Sequence, residues 1–279
     1  MNLSASAQTL PQRRVALVLG AIKGIGKGIG LDLARRGFRV ALTYYDWEEE
    51  LPGMRADFEV FGDRCEIFCV NLRDCDGASA LIPRVMAKFG RLDVLINNIE
   101  RGGWPVVHGP YTPAQWDLEM ETTLRAKRWV FDAALPYLQA NSNGCVVNLS
   151  SIAGLVGRCG PTSVVFNDGY AAANRAVSLL TESWAREAAP EVRVNEIMLG
   201  LIATRHGEAT RGWGLLTSEQ KRALIDHTLL GRIGTIGDVV KTVRFLVDEA
   251  PFMTGAIIRL DGGYILGGER VAPMPAGVE

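Results

Sequence analysis

Short apolar runs that alternate with helical stretches along the whole chain constrain its fold more than any other feature. Residues 15–19, 40–43, 66–70, 94–96, 145–149, 192–197 and 256–260 read as strands. Residues near 25–36, 47–61, 77–89, 113–139, 169–188 and 237–248 read as the helices between them. Most of the strand segments are apolar without interruption, as strands covered on both faces should be. Strand–helix alternation implies right-handed crossovers and a parallel, doubly wound α/β sheet with helices on both faces. The 279 residues show no composition break, internal repeat or low-complexity tract, so one domain is expected.

Composition narrows the function classes. A formal net charge of −1 gives no electrostatic reason to expect nucleic acid or an anionic membrane as partner. No run of about 18 apolar residues exists, so no membrane span is indicated. Arg13-Arg14 ahead of the first apolar run looks like a twin-arginine export signal. That run is short and ends in a glycine-rich turn, so a buried first strand is the preferred reading. Five cysteines with no Cys-x-x-Cys pair suggest reduced thiols and a cytoplasmic setting. Cys65, Cys69 and Cys75 could ligate a metal on spacing alone, but structural zinc sites show tighter ligand pairs, and no metal is expected.

Two segments break the rhythm. Residues 155–169 hold three glycines and a proline and read mainly as loop. Residues 203–235 form a long insertion containing His206, Trp213 and His227. It reads as a lid over a site, with a packed surface excursion as the alternative.

Gly20-Ala-Ile-Lys-Gly24-Ile-Gly26 follows the first strand and opens a helix. Glycines there let the chain turn tightly and approach a pyrophosphate, while the helix start supplies N–H donors. Gly28 and Gly30 continue into that helix, where close packing on the sheet is the only evident reason for them. Further ordered motifs follow: Asn97-Asn98; Asn148-Leu-Ser150-Ser151; Tyr170; Arg193-Val-Asn195; Gly200-Leu-Ile-Ala-Thr204; and Asp261-Gly262-Gly263. In order and spacing the chain resembles the short-chain dehydrogenase/reductases, particularly the 3-oxoacyl-carrier-protein reductase branch.

The resemblance covers about residues 13 to 266 and implies a single-domain, seven-stranded Rossmann sheet that binds a nicotinamide dinucleotide. Residues 1–12 and 267–279 are then flexible tails, and 203–235 the substrate lid. The resemblance implies that Gly20, Gly24 and Gly26 cradle the pyrophosphate, with Ile25 between them. Asn71 and Leu72 fall by the adenine, and Asn97 and Asn98 beside the adenosine ribose and the loop after strand four. Gly200, Ile202 and Thr204 fall at the nicotinamide end, with Thr204 on the carboxamide or a phosphate. At the end of strand two, where NAD-binding members carry an acid, this chain has Tyr44; Lys23 stands where NADP-preferring members carry a base. Asp46 would repel a 2′-phosphate if it pointed inward; capping of a helix that begins at Trp47 is the preferred reading. NADP(H) is therefore favoured, with NAD(H) as the alternative.

The chemical end departs from the family. Tyr170 matches the acid/base tyrosine, and Ser151 the substrate-binding serine, with Ser150 the neighbouring candidate. Asn174, one helical turn after Tyr170, stands where the family has lysine. Thr123, seven residues after Trp116, stands where a relay asparagine belongs. The serine-to-tyrosine interval of 19 residues is also long, Asn97-Asn98 runs on into Ile99-Glu100, and Leu199 replaces a proline. Poising a tyrosine near neutrality takes about three pH units, or roughly 4 kcal/mol. An ammonium one turn away supplies much of that and an amide does not. Arg175 is adjacent but turned about 100° round the helix. Carbonyl reduction tolerates a neutral phenol; alcohol oxidation, which needs a base, should suffer. The leading expectation is an NAD(P)(H)-dependent oxidoreductase of a carbonyl or alcohol. The alternatives are a dinucleotide-binding protein without hydride chemistry, a sensor or inactive subunit, and an enzyme of altered chemistry that uses Glu100 or His108. Tyr170 as mere helix packing, and His108 as a surface residue, are the bland counterparts. Trp104, Trp213 and Leu215 hint at an apolar pocket. By family likeness the helices at 113–139 and 169–188 meet a second subunit, in a homodimer or homotetramer.

Overall fold

The computed structural model describes residues 13–100, 112–141, 143–204 and 211–268. Seven strands form one parallel sheet: β1 (Val15–Val18), β2 (Arg39–Tyr44), β3 (Cys65–Cys69), β4 (Val94–Asn97), β5 (Gly144–Ser151), β6 (Val192–Leu199) and β7 (Ile257–Leu260). Their order is β3-β2-β1-β4-β5-β6-β7. The chain winds outward from β1 to β3, then crosses back to β4 and winds the other way. A crevice therefore opens beyond the carboxyl ends of β1 and β4, where ligands bind in such sheets.

The helices are α1 (Gly24–Arg35), α2 (Leu51–Glu59), α3 (Cys75–Phe89), α4 (Pro113–Glu119), α5 (Ala126–Gln139), α6 (Ala153–Val156), α7 (Asp168–Ala188), α8 (Arg211–Leu215), α9 (Ser218–His227) and α10 (Ile236–Arg244). A π turn, Met120–Arg125, joins α4 to α5, so the long helix expected at 113–139 is one run with a wide turn inside it. Successive residues of β1 point to opposite faces. Val15 and Leu17 join Leu81, Val130, Phe131 and Trp184 on one side. Ala16 and Val18 join Ile29, Leu33, Phe58 and Val239 on the other. A third cluster lies past the carboxyl edge, where Ile152, Phe166, Tyr170, Met198, Trp213 and Leu224 meet.

Two sequence expectations change. Residues 155–169 are not mainly loop: α6 and a 3₁₀ turn, Gly160–Val164, occupy much of the segment. Asp46 does not cap a helix at Trp47. Trp47 itself precedes a 3₁₀ turn, Glu48–Glu50, with a left-handed φ of 62° and no side-chain cap, and α2 starts only at Leu51. The Trp47 ring is held 3.1 Å from the Lys23 ammonium, and that contact fixes the turn in place of a carboxylate cap. Gly28 and Gly30 gain an explanation. A Cβ on Gly28 would lie 2.5 Å from Ile236 Cγ2, and one on Gly30 2.6 Å from Leu42 Cδ2, so α1 sits against α10 and β2 at glycine distance. The insertion at 203–235 holds two helices, α8 and α9. Thr217 and Gln220 cap the latter reciprocally.

Candidate functional site

The loop after β1 is tied before any ligand arrives. Gly20 N–H donates to Thr43 Oγ1 (3.1 Å), and Gly20 O accepts from Asn98 Nδ2 (3.0 Å). A Cβ on Gly20 would fall 2.3 Å from Asn98 O, and one on Gly26 2.2 Å from Gly20 O, so neither position admits a side chain. Gly24, at φ 60°, is different: the nearest atoms to a Cβ there belong to Thr204, 3.7 Å away. The glycine turn and the β6 loop thus face each other across the crevice. No side chain caps α1, which leaves its first N–H groups for a ligand. Lys23 is engaged elsewhere, on the Trp47 ring and 3.6 Å from Glu50. Tyr44 is half-buried at the end of β2. Asn71 Oδ1 accepts from Arg73 N–H (3.2 Å), and Leu72 is buried. Ile25 packs on the core beneath α1, and Ile202 bridges to Gly234. A Cβ on Gly200 would meet Asp261 Cα at 2.6 Å, so Gly200 lets the ends of β6 and β7 close up.

Asn97 ends β4. It is fully buried and donates to Asn148 Oδ1 (2.8 Å), while Asn148 Nδ2 donates to Thr181. Its place is under the site, bracing β4 against β5.

At the chemical end, Asn167 caps α7 by accepting from Tyr170 N–H (2.7 Å), which fixes Tyr170 in the first turn. The Tyr170 hydroxyl donates to Glu100 Oε2 at 2.7 Å. Burial holds the phenol well above its ordinary value; the charges of Glu100 and Glu119 push the same way, and the Ser151 hydroxyl opposes them. Ser151 also accepts from Ala153 N–H (3.1 Å). Ser150 points away and, with Ser178, donates to Glu196. Of the two serines, Ser151 is the one that meets the tyrosine. Thr123 lies in the π turn, fully buried, with its hydroxyl 3.4 Å from Glu119 Oε2. Such turns often mark functional positions in helices. Asn174 is fully buried and curls back on its own helix, where Nδ2 donates to Tyr170 O (2.9 Å). Its Oδ1 has no partner among the described residues. Arg175 is exposed and does not stand in for a lysine.

Three charged residues that sequence reasoning missed complete the site. Lys127, on α5, is 1% exposed and donates to Leu149 O at 2.6 Å. Burial lowers its pKa to about 8, against the pull of Glu100 and Glu196. Glu196, inside β6, is raised by burial, which the hydroxyls of Ser150 and Ser178 and the Lys127 charge oppose. Glu119, at the end of α4, is 1% exposed. A signal existed: charged residues inside apolar strand and helix faces. What they share a pocket with was invisible, because the partners lie far apart in sequence. Arg101, Trp104, His108 and His206 fall outside the described residues. Trp213 is buried in the third cluster, whereas Leu215 is exposed and does not line it.

The pattern described as Enoyl-(Acyl carrier protein) reductase matches residues 20–265. The chain is 32% identical over 255 residues to the 3-oxoacyl-[acyl-carrier-protein] reductase FabG of Staphylococcus aureus, spanning 90% of this chain and 98% of that one. It is 28% identical over 261 residues to the 1,6-dihydroxycyclohexa-2,4-diene-1-carboxylate dehydrogenase of Acinetobacter baylyi, spanning 90% and 96%. Among solved structures, ElxO with NADP bound superposes with a TM-score of 0.78 at 26% identity, over 91% of this chain and 99% of that one. A second ElxO structure, with NADPH bound, gives 0.77.

Proposed function

This chain belongs to the short-chain dehydrogenase/reductase family of oxidoreductases, and from that premise we propose that it reduces a small or medium carbonyl compound with NADPH. The observation that carries the reading is the meeting of Ser151 and Tyr170 at the carboxyl edge of the sheet, with the phenol held in its proton-bearing form. The residues present suit a dinucleotide. The uncapped start of α1 offers N–H groups to a phosphate, and Asn174 Oδ1, without a partner among the described residues, can accept from a ribose hydroxyl. NADP in the ElxO structures supports the phosphorylated cofactor, and Lys23 reaches its 2′-phosphate by leaving Glu50. When bound, the nicotinamide supplies the hydride. Ser151 donates to the substrate oxygen and orients the carbonyl. Tyr170 turns its O–H from Glu100 to that oxygen and delivers the proton as negative charge develops there. Oxidation of an alcohol would need the phenolate, which burial and Glu100 oppose, so reduction is the favoured direction. Helices α8 and α9 bring Trp213 and Leu224 onto the Tyr170 cluster, and we read residues 203–235 as the substrate lid.

A second reading rests on Glu100. A carboxylate 2.7 Å from the phenol can act as a base toward a carbon acid, giving isomerisation or elimination with no net redox change. Titration with NADPH and NADH, followed by a carbonyl screen, separates the readings. The expected outcome is micromolar NADPH binding, tighter than NADH, with turnover that Tyr170→Phe abolishes while binding stays. No binding of either cofactor overturns the reductase. Product formed without cofactor oxidation selects the second reading.

A further inference from the structure

Lys127 is buried to 1% on α5, a position where apolar neighbours such as Val130 and Phe131 face the core. A buried ammonium is costly unless something uses its charge. Its hydrogen bond to Leu149 O (2.6 Å) fixes it beneath the carboxyl end of β5, two residues before Ser151. Two carboxylates act on it, Glu100 and Glu196. Glu196 lies behind, on β6, where it gathers the hydroxyls of Ser150 and Ser178. Glu100 lies in front, at the end of β4, where it takes the hydrogen bond of Tyr170. Glu119 adds a further negative charge toward Tyr170 from α4. The site therefore concentrates acids around its tyrosine, while the position one turn along α7 carries a neutral Asn174 turned back on its own helix.

We propose that Lys127 is the positioning residue that supplies this site with the positive charge missing at 174, acting on Tyr170 through Glu100. The inference rests on the reductase reading above. In reduction the Tyr170 O–H bond breaks and a substrate O–H bond forms. The charge left on Tyr170 is quenched by a solvent proton, arriving as hydronium and leaving water behind, that Glu100, half-buried at the site's edge, relays. One O–H bond is made for each one broken. Between those events two negative charges share a 2.7 Å contact, and the Lys127 ammonium offsets them from the β5 side. An ammonium that served Glu196 alone would leave the Glu100–Tyr170 pair unaffected.

The test follows Lys127 itself. In protein labelled with ¹⁵N-lysine, its Nζ resonance is identified by its loss in Lys127→Met/Glu196→Gln, and its midpoint is read by pH titration. In Glu100→Gln that midpoint is expected to fall by about one unit or more; an unmoved midpoint overturns the proposal. This readout needs neither substrate nor cofactor, so it stands apart from any failure of the reductase reading, which NADPH titration reports. The second arm removes both buried charges together, as Lys127→Met/Glu196→Gln. The expected result is an unchanged NADPH dissociation constant and KM, a kcat about tenfold lower, and recovery of kcat on adding Asn174→Lys. A folded double variant with wild-type kcat and pH profile overturns the proposal.

Discussion

Lys127 shows how one side chain can shape both stability and chemistry. Its pKa falls from an ordinary 10.5 to about 8, with burial as the largest cause. Below about pH 8 the folded protein holds the charge at a cost of about 3 kcal/mol. Between about 8 and 10.5 the folded state has released the proton while the unfolded chain keeps it, so stability from this group rises with pH. Melting temperature against pH should therefore carry an upward contribution in that window. The contribution should vanish in Lys127→Met/Glu196→Gln; equal slopes for both proteins would contradict the burial of this charge. Asn174 illustrates the opposite case. Its identity and its spacing from Tyr170 could be read directly from the sequence, but the turn of its amide back to Tyr170 O could not, because that depends on what fills the space beyond the helix.

Among the elements, α1 makes the sharpest demand on its neighbours. Gly28→Ala would drive a Cβ to 2.5 Å from Ile236 and separate α1 from α10. A loss of about 1–3 kcal/mol in denaturant unfolding is expected. By contrast, Thr235→Ala, which removes the reciprocal cap of α10, should cost about 1 kcal/mol. If Gly28→Ala proved neutral, that close approach would be wrong. The regular elements were legible because each carries its own period: apolar strand runs and amphipathic helices declare themselves locally. β5 and β6 run past their expected ends at residues 149 and 197, since parallel pairing between them continues through Ser150–Met198 and Ser151–Leu199. Trp47 was misjudged because a long-range partner, Lys23, overrode the local capping preference. For the site, Gly20, Ser151 and Tyr170 could be placed from motif spacing. The Lys127–Glu196–Glu100 group could not, since three different parts of the chain, α5, β6 and the segment after β4, bring it together.

At the scale of the whole molecule, the outer face of α4, α5 and α7 carries apolar side chains that a lone subunit leaves in water. Leu179 is 65% exposed and Trp116 40% exposed, and a hollow on these elements is lined by Met120, Leu124, Trp129 and Leu180 together with Asp117, Glu121, Arg125 and Arg128. A homodimer or larger assembly is the expected state, and light scattering should show Leu179→Glu shifting it toward monomers. A wild-type monomer would refute the expectation. No helix among the described residues is long and apolar enough to cross a membrane. Tyr264 has a wider consequence. Its hydroxyl accepts from Thr162 N–H (3.1 Å) and its ring lies 4.5 Å from that of His227, so one phenol pins the 3₁₀ turn after β5, the end of α9 and the turn after β7. Three stretches of chain that differ in sequence position thus form a single mechanical unit beside Tyr170. Grafting any one of them alone from a relative should break the Thr162–Tyr264 or His227–Tyr264 contact and lower the melting temperature.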